Sequence, residues 1–218
     1  MAGRIVQNGS RSERLERPGR SLKRSAGLVL AAALAATAPS LAGCGRPADG
    51  GQAAQSQGPG GPFNLVDQNA RPVDQSVLRG KWSVVFFGYT FCPDFCPTTL
   101  ATLARSMNLL GPKAAKVQVV FISVDPARDT PAQLKTYLAS PAFPKNVVGL
   151  TGSPAQVDKA AKAYVVYYQK AGTGPNYTVD HSTALYLMDP DGRFVRPIAD
   201  GLTPDEVARQ ISEAMSGT

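Results

Sequence analysis

The sequence predicts an α/β fold in which helices pack on both faces of a mixed β-sheet. Two apolar runs, residues 83–87 and 117–125, have the length and the β-branched and aromatic content of strands buried on both faces. Three N-cap residues, each followed by proline at the first helical position, predict three helix starts. These pairs are Thr130-Pro131, Ser153-Pro154 and Thr203-Pro204. Because such strands and helices alternate along the chain, a layered α/β architecture follows.

The elements are expected in a defined order that opens with an N-terminal hairpin. Residues 63–66 and 71–73 form this hairpin around a turn at 67–69. Leucines at helical spacing predict a helix after the first buried strand. The further predicted elements are a strand at 147–150, a helix from Ser153 to about Tyr168, strands at 184–188 and 193–195 joined by a turn at 189–192, and a last helix with Val207 and Ile211 on one face.

The first 44 residues have the features of an export signal. Basic residues at Arg20, Lys23 and Arg24 precede an uncharged run at 26–36. The segment 26–41 is shorter than the roughly 20 residues that a transmembrane helix needs, but it suits an export signal. Residues 41–44 (Leu-Ala-Gly-Cys) resemble the bacterial lipoprotein box, which implies that Cys44 becomes a lipid-modified first residue. An ordinary cleaved signal peptide and a short uncleaved anchor are the alternatives.

These features divide the chain into three segments. Residues 1–44 form a lipoprotein-type signal sequence, and residues 45–61 form a flexible tether rich in Gly, Ala, Gln and Pro. Residues 62–218 form the folded domain. We expect an exported lipoprotein anchored to the membrane and facing the periplasm or the cell exterior, because several acyl chains on one residue give stable anchoring.

The net charge of +7 does not indicate a nucleic-acid partner. Residues 1–44 hold seven basic and two acidic residues, which leaves the rest of the chain with a net charge of only +2. That part has no basic run interleaved with aromatic residues. We therefore expect no binding to nucleic acid.

Two cysteines lie at the junction between the strand at 83–87 and the helix that follows it. Proline has no N–H, so Pro97 must lie in the first turn, and the helix starts no earlier than about Pro93 or Asp94. Cys92 and Cys96 then lie at the positive end of the helix dipole, where the pKa of a thiol falls. Such a pair can act as a redox couple or as soft metal ligands.

His181 is the only histidine in the chain. We place it on the loop that leads into the strand at 184–188, which in a thioredoxin-type sheet faces the cysteine turn. Two thiolates and a neutral imidazole suit copper, since thiolates hold Cu(I) and imidazole helps to accommodate Cu(II). Zinc could use the same ligands, but a structural zinc site normally has four protein ligands, and we identify only three.

Three motifs occur in an order and spacing that resemble those of the Sco/SenC proteins. The motifs are residues 87–97 (Phe-Gly-Tyr-Thr-Phe-Cys-Pro-Asp-Phe-Cys-Pro), 123–131 (Ser-Val-Asp-Pro-Ala-Arg-Asp-Thr-Pro) and 179–182 (Val-Asp-His-Ser). The resemblance covers the chain from about residue 62 to its C-terminus. It implies a thioredoxin-like fold with an N-terminal hairpin extension, and a copper protein of cytochrome c oxidase assembly.

The resemblance also implies roles for individual residues. The copper ligands of the family correspond to Cys92, Cys96 and His181. Asp125 matches the family's acidic residue beside the site, where it would orient a ligand or steer a partner. Asp180 should point away from the metal if His181 faces it, because neighbouring residues of an extended chain alternate in direction.

Three functions remain open, and all use the cysteine pair. The first is a membrane-tethered assembly factor that binds copper and passes it to the dinuclear copper centre of a terminal oxidase subunit, with or without reducing the cysteines of that subunit. The second is a dedicated thiol–disulfide oxidoreductase that uses Cys92 and Cys96 without a metal. The third is a peroxidase with the same general fold, which the double-cysteine motif fits poorly. A dedicated reductase would have no need of His181, so the sequence favours the copper protein.

Overall fold

The structure is a computed structural model that describes residues 58–217. The predicted signal sequence with Cys44, and residues 45–57 of the predicted tether, lie outside the described residues. In the described part, the strands are β1 (Asn64–Asp67), β2 (Pro72–Asp74), β3 (Trp82–Gly88), β4 (Val117–Ser123), β5 (Val147–Thr151), β6 (Tyr168–Ala171), β7 (Thr178–His181), β8 (Leu185–Met188) and β9 (Phe194–Ile198). The α-helices are α1 (Phe95–Leu110), α2 (Pro131–Leu138), α3 (Pro154–Ala163) and α4 (Pro204–Ser216). None of these helices has the length and hydropathy that crossing a membrane requires.

Seven of these strands form one mixed sheet in the order β2-β1-β5-β4-β3-β8-β9. The central strands β5, β4 and β3 run parallel, and the outer strands pair antiparallel. The hairpin β1–β2 extends the sheet beyond β5, and the hairpin β8–β9 lies at the other edge. The predicted α/β sheet with an N-terminal hairpin is confirmed.

The central strands are buried on both faces of the sheet. Val84 and Phe86 pack into a core with residues of α1, α2 and α4, whereas Val85 and Phe87 pack into a second core with residues of α3. This division follows from the alternation of side chains along a strand. Each large apolar side chain buried in this way stabilises the fold by about 1.5–3 kcal/mol. Burial therefore fixes the ends of β3 and β4, and with them the starting points of the loops that follow.

The three predicted helix starts are confirmed by their caps. The side-chain oxygens of the N-cap residues accept hydrogen bonds from backbone N–H groups three residues later. The pairs are Thr130 with Gln133, Ser153 with Gln156, and Thr203 with Glu206.

The helix predicted from Ser153 to about Tyr168 is wrong at its end. Helix α3 stops at Ala163, and Val165 has a φ of 56°, a left-handed backbone conformation that ends the helix. Strands β6 and β7 then form a separate two-stranded hairpin, with His181 paired to Tyr168. The predicted loop position of His181 is also wrong, because this residue ends β7. The β-branched and aromatic residues at 165–168, before a glycine-containing turn, were the available signal for a hairpin.

Candidate metal centre

The candidate site lies where the parallel strands β3 and β4 end at the same edge of the sheet. Gly88 is opposite Ser123 in the register, and the Val124 N–H donates to the Gly88 carbonyl over 2.8 Å. Residues 89–94, which we call the cysteine turn, follow β3. Residues 124–130, which we call the acidic turn, follow β4. Because the two strands end side by side, the two turns are neighbours at the carboxyl edge of the sheet.

The cysteines lie on either side of the start of α1. This helix begins at Phe95, within the limit set by Pro97. Cys92 is partly exposed on the cysteine turn, whereas Cys96 is buried in the first turn of the helix. The Cys96 N–H donates to the Cys92 Sγ over 3.4 Å. The Cys92 sulfur thus accepts one of the free N–H groups at the helix start, as a capping side chain does.

The two thiols differ in their affinity for a proton. A hydrogen bond from the Cys96 side chain lowers the pKa of Cys92 to about 4, against the opposing effect of burial, and His181 and the backbone N–H of Cys96 add to the lowering. The same side-chain hydrogen bond, together with burial and the Cys92 charge, raises the pKa of Cys96. The pair therefore carries one thiolate at neutral pH, on Cys92. The expected fall in thiol pKa occurs at Cys92 alone.

A glycine leaves room for the buried sulfur. A Cβ atom at Gly88 would lie 2.5 Å from the Cys96 Sγ and 2.8 Å from the Phe121 Cε2. No methyl group fits at such distances, so the end of β3 approaches the Cys96 sulfur as closely as it does because position 88 has no side chain. Gly88 is therefore part of the site, and the sequence analysis gave this residue no role.

His181 reaches the cysteines from the β6–β7 hairpin. Its Nε2 lies 4.0 Å from the Cys96 Sγ, and its Nδ1 lies 2.9 Å from the Ser182 carbonyl oxygen. A carbonyl only accepts hydrogen bonds, so Nδ1 is the donor in this contact, and Nε2 is the ring nitrogen that faces the cysteines. The imidazole packs edge-on against the rings of Tyr89 and Phe95, at centroid distances of 5.9 and 5.7 Å. These rings fix the orientation of the imidazole.

Together these residues form a cluster that could hold a metal ion. The two Sγ atoms and one imidazole nitrogen all lie within 4.8 Å of one another. A thiolate, a thiol that loses its proton to a metal, and a neutral imidazole form a soft ligand set that suits copper. The structure thus brings together Cys92, Cys96 and His181, which the sequence analysis predicted as ligands.

Asp129 is a buried carboxylate that the sequence analysis did not single out. It accepts hydrogen bonds from the Thr90 N–H over 3.0 Å, the Thr90 hydroxyl over 2.6 Å and the Ser123 hydroxyl over 2.6 Å. Burial raises the pKa of Asp129. Through Thr90, this carboxylate fastens the cysteine turn to the acidic turn. Asp125 and Asp129 both follow the same buried strand, so the strand pattern alone does not show which of the two carboxyl groups faces the cysteine turn.

Asp125 is bonded to Arg128 and Tyr177. The Arg128 Nε donates to its Oδ2 and the Tyr177 hydroxyl donates to its Oδ1, each over 2.5 Å. Asp125 contributes no atom to the metal-ligand cluster of the described residues, and its role in orienting a ligand or steering a partner stays a prediction. Asp180 is exposed and likewise lies outside that cluster.

The lowered pKa of Cys92 has a direct chemical consequence. A thiol with an ordinary pKa of about 8.5 loses about tenfold in thiolate for each pH unit below that value. The Cys92 sulfur, with its pKa of about 4, is already a thiolate at pH 6. In the metal-free, reduced protein we therefore expect alkylation of Cys92 by iodoacetamide to proceed at nearly the same rate from pH 6 to pH 8. Peptide mass spectrometry measures this rate at each position.

Glutathione, alkylated under the same conditions, is the control with an ordinary thiol pKa. Its rate should rise steeply over the same pH range. A Cys92 rate that rises in parallel with that of glutathione would contradict the thiolate assignment.

The sequence is similar to known proteins of one family, the family that the three motifs resemble. A sequence model of the SCO1/SenC family matches residues 51–216. The chain is 45% identical over 152 residues to Protein SCO2, mitochondrial, of Saccharomyces cerevisiae, across 68% of this chain and 50% of that protein. It is 43% identical over 155 residues to Protein SenC of Rhodobacter capsulatus, across 70% of this chain and 68% of that protein. The chain thus spans about half the length of the yeast relative.

One solved structure of a relative matches this chain over nearly the whole length of the relative. Bradyrhizobium japonicum ScoI with copper bound matches with a TM-score of 0.64 and 46% sequence identity, across 71% of this chain and 98% of that chain. The thioredoxin-like fold predicted from the sequence is confirmed by this likeness.

Proposed function

Because this chain belongs to the SCO1/SenC family, we propose that it is a membrane-tethered assembly factor that carries copper to the dinuclear copper centre of a terminal oxidase. The observation that carries this proposal is the cluster of Cys92, Cys96 and His181, whose ligand atoms lie within 4.8 Å of one another. Copper is the cargo, and these three residues hold it. The copper bound by the Bradyrhizobium relative supports the choice of metal.

The difference in exposure between the ligands suggests how copper leaves. Cys92 is partly exposed and Cys96 is buried. A thiolate of the recipient can approach copper from the Cys92 side and form a bond to the metal before the bond to Cys92 breaks. Cys96 and His181 then release the metal in turn. Exchange of this kind keeps copper bound to soft ligands throughout, so no free ion forms.

A tether agrees with delivery to a membrane-bound recipient. In this proposal, lipid on Cys44 anchors the chain, and residues 45–61 hold the folded domain away from the membrane on the periplasmic or outer side. The support is the sequence pattern of residues 20–44 and the flexible composition that follows it.

The Cys92 thiolate also favours a second candidate function, the reduction of a disulfide in the recipient. The thiolate attacks one sulfur of that disulfide, forms a mixed disulfide and releases the other sulfur as a thiolate. Cys96 then gives its proton to the released recipient thiolate and attacks the Cys92 sulfur, and the second recipient sulfur leaves as a thiolate that takes a proton from water. A Cys92–Cys96 disulfide forms, and the recipient leaves as a dithiol with two electrons gained. The two functions can act in sequence on one recipient.

Copper transfer to an oxidase subunit tests the proposed function. We expect the copper-loaded full chain to give up its copper to the reduced, metal-free copper domain of a terminal oxidase subunit. The absorption spectrum of the dinuclear centre reports the transfer. The doubly substituted variant Cys92→Ser/Cys96→Ser should deliver none.

The same recipient in its disulfide form separates the two candidate functions. Two assays are compared: metal-free, reduced protein with the disulfide form, and copper-loaded protein with the reduced form. If the first converts the disulfide to thiols and the second transfers no copper, thiol–disulfide exchange replaces delivery as the function. Transfer of copper to the reduced recipient supports delivery, whichever result the disulfide form gives.

A further inference from the structure

The hairpin that carries His181 is not part of the main sheet. Strands β6 and β7 form a two-stranded sheet of their own. A two-stranded ribbon is marginally stable in water by itself, so its position depends on how it is fastened to the rest of the fold. At its base, next to His181, the Ser182 N–H donates to the Tyr167 carbonyl over 2.9 Å. The opposite end, the tip at residues 172–177, makes a separate set of contacts with the acidic turn.

The tip is held to the acidic turn by Tyr177. The hydroxyl of this residue donates to the Asp125 Oδ1 over 2.5 Å. The guanidinium carbon of Arg128 lies 3.6 Å from the centre of the Tyr177 ring, and the Arg128 Nη1 donates to the Pro175 carbonyl over 3.3 Å. A charge-assisted hydrogen bond and a cation–π contact thus act on one aromatic side chain.

Arg128 also contacts the cysteine turn. Its guanidinium carbon lies 4.6 Å from the ring centre of Phe91 and 5.7 Å from that of Tyr89. The Tyr89 ring in turn packs edge-on against His181. The Arg128 side chain is only 15% exposed, and its Nη2 is buried without a hydrogen-bond partner among the described residues. The aromatic rings therefore take the place of water around this part of the cation.

We propose that Arg128, Asp125 and Tyr177 form a latch that positions His181 over the cysteine pair. Asp125 orients the guanidinium from within the acidic turn, and the guanidinium joins the hairpin tip to the cysteine turn. Arg128 and Tyr177 are positioning residues, because neither contributes a ligand atom to the cluster. This inference rests on the proposed copper site, and it gives Asp125 a physical role that acts through the hairpin.

The latch should matter more for Cu(II) than for Cu(I). Two thiolates suffice to hold Cu(I), and both cysteines lie outside the hairpin. Cu(II) depends on the imidazole as well. A hairpin that is loose at its tip therefore lowers the affinity for Cu(II) and leaves that for Cu(I) nearly unchanged. A variant that simply unfolds would lose both.

The test compares Tyr177→Ala and Arg128→Lys with Tyr167→Ala in the metal-free full chain. The lysine variant keeps the charge but loses the planar guanidinium that donates and stacks. Tyr167 is a matched control, because it lies at the foot of the same hairpin, is 61% exposed and donates its hydroxyl to Gln169 within the hairpin. We expect amide hydrogen exchange of residues 168–181 to speed up by about tenfold or more in the two latch variants, from the loss of a charged hydrogen bond. The control should exchange at the wild-type rate.

Copper titrations complete the experiment. In the latch variants the Kd for Cu(II) should rise about tenfold, while the Kd for Cu(I) and the midpoint of thermal unfolding change little. Unchanged exchange of residues 168–181 in both latch variants would overturn the latch, whatever copper does. A Kd for Cu(II) that His181→Ala leaves unchanged would instead refute the three-ligand site, so the two failures are distinguishable.

Discussion

Replacing Cys92 and Cys96 together by serine is expected to abolish tight binding of Cu(I), and His181→Ala is expected to weaken Cu(II) by about a hundredfold. Structural zinc binds to its four protein ligands with about 10–16 kcal/mol, so one ligand contributes about 3 kcal/mol, which corresponds to about a hundredfold in Kd. Loss of both thiolates removes the ligands that Cu(I) requires, since serine hydroxyls are hard and protonated. The measurement is an anaerobic titration of the reduced full chain against a chromophoric Cu(I) ligand, with a separate titration for Cu(II).

Cys44→Ser is the matched control for the cysteine variants. We propose that Cys44 carries lipid and takes no part in binding copper, so this variant should bind one tight equivalent of Cu(I) as the wild type does. If Cys44→Ser lost tight Cu(I) binding to the same extent as the double variant, the copper site could not be assigned to the Cys92–Cys96 pair. A Kd for Cu(II) that does not respond to His181→Ala would leave the cysteine pair as a redox couple, and its reduction potential would then be the quantity to measure.

The parts of the fold that were predicted correctly are those encoded in short stretches of sequence. The run at 83–87 is apolar because β3 is buried on both faces, and the caps at Thr130, Ser153 and Thr203 bond to residues only three positions away. Pro97 limited the start of α1 through a single missing N–H group. Such signals do not depend on the rest of the fold.

The parts that were missed depend on contacts between distant residues. The left-handed backbone at Val165 ends α3 where the pattern of side chains still permits a helix. Arg128 contacts Tyr177, which lies far along the chain, and Asp129 holds Thr90 across the edge of the sheet. Two acidic residues, Asp125 and Asp129, follow one strand, yet one faces the hairpin and the other the cysteine turn. Only the folded arrangement distinguishes them.

The ligands could be predicted from the sequence, because few types of side chain bind copper well and they can be recognised without knowledge of their positions in space. Two thiols at a helix start and a lone imidazole suffice to suggest copper. The distances that make them a site come from three separate supports. These are the cap-like bond from the Cys96 N–H to Cys92, the space that Gly88 leaves, and the hairpin that carries His181.

The missing side chain at Gly88 leaves the space into which the Cys96 sulfur fits. We expect Gly88→Ala to destabilise the protein by about 1–3 kcal/mol, the usual cost of an extra methyl group in a packed core. The new Cβ would lie 2.5 Å from the Cys96 Sγ and 2.8 Å from the Phe121 Cε2. Phe121 cannot retreat easily, because its ring packs against Phe86 and Tyr137. The Cys96 sulfur must therefore move, and we expect the affinity for Cu(I) to fall together with the stability.

Gly149→Ala is the matched control for this prediction. Its Cβ would meet the Leu138 Cδ1, the free end of a flexible side chain, and neither the cysteines nor His181 is among its nearest neighbours. This variant can lose stability, but it should bind copper as the wild type does. Chemical denaturation gives the free energy of unfolding, and a loss of 1–3 kcal/mol lowers the unfolding midpoint by about 2–12 °C in a domain of this size. If Gly88→Ala loses stability and yet keeps the wild-type Kd for Cu(I), then the close approach at Gly88 serves packing alone and does not set the position of the Cys96 sulfur.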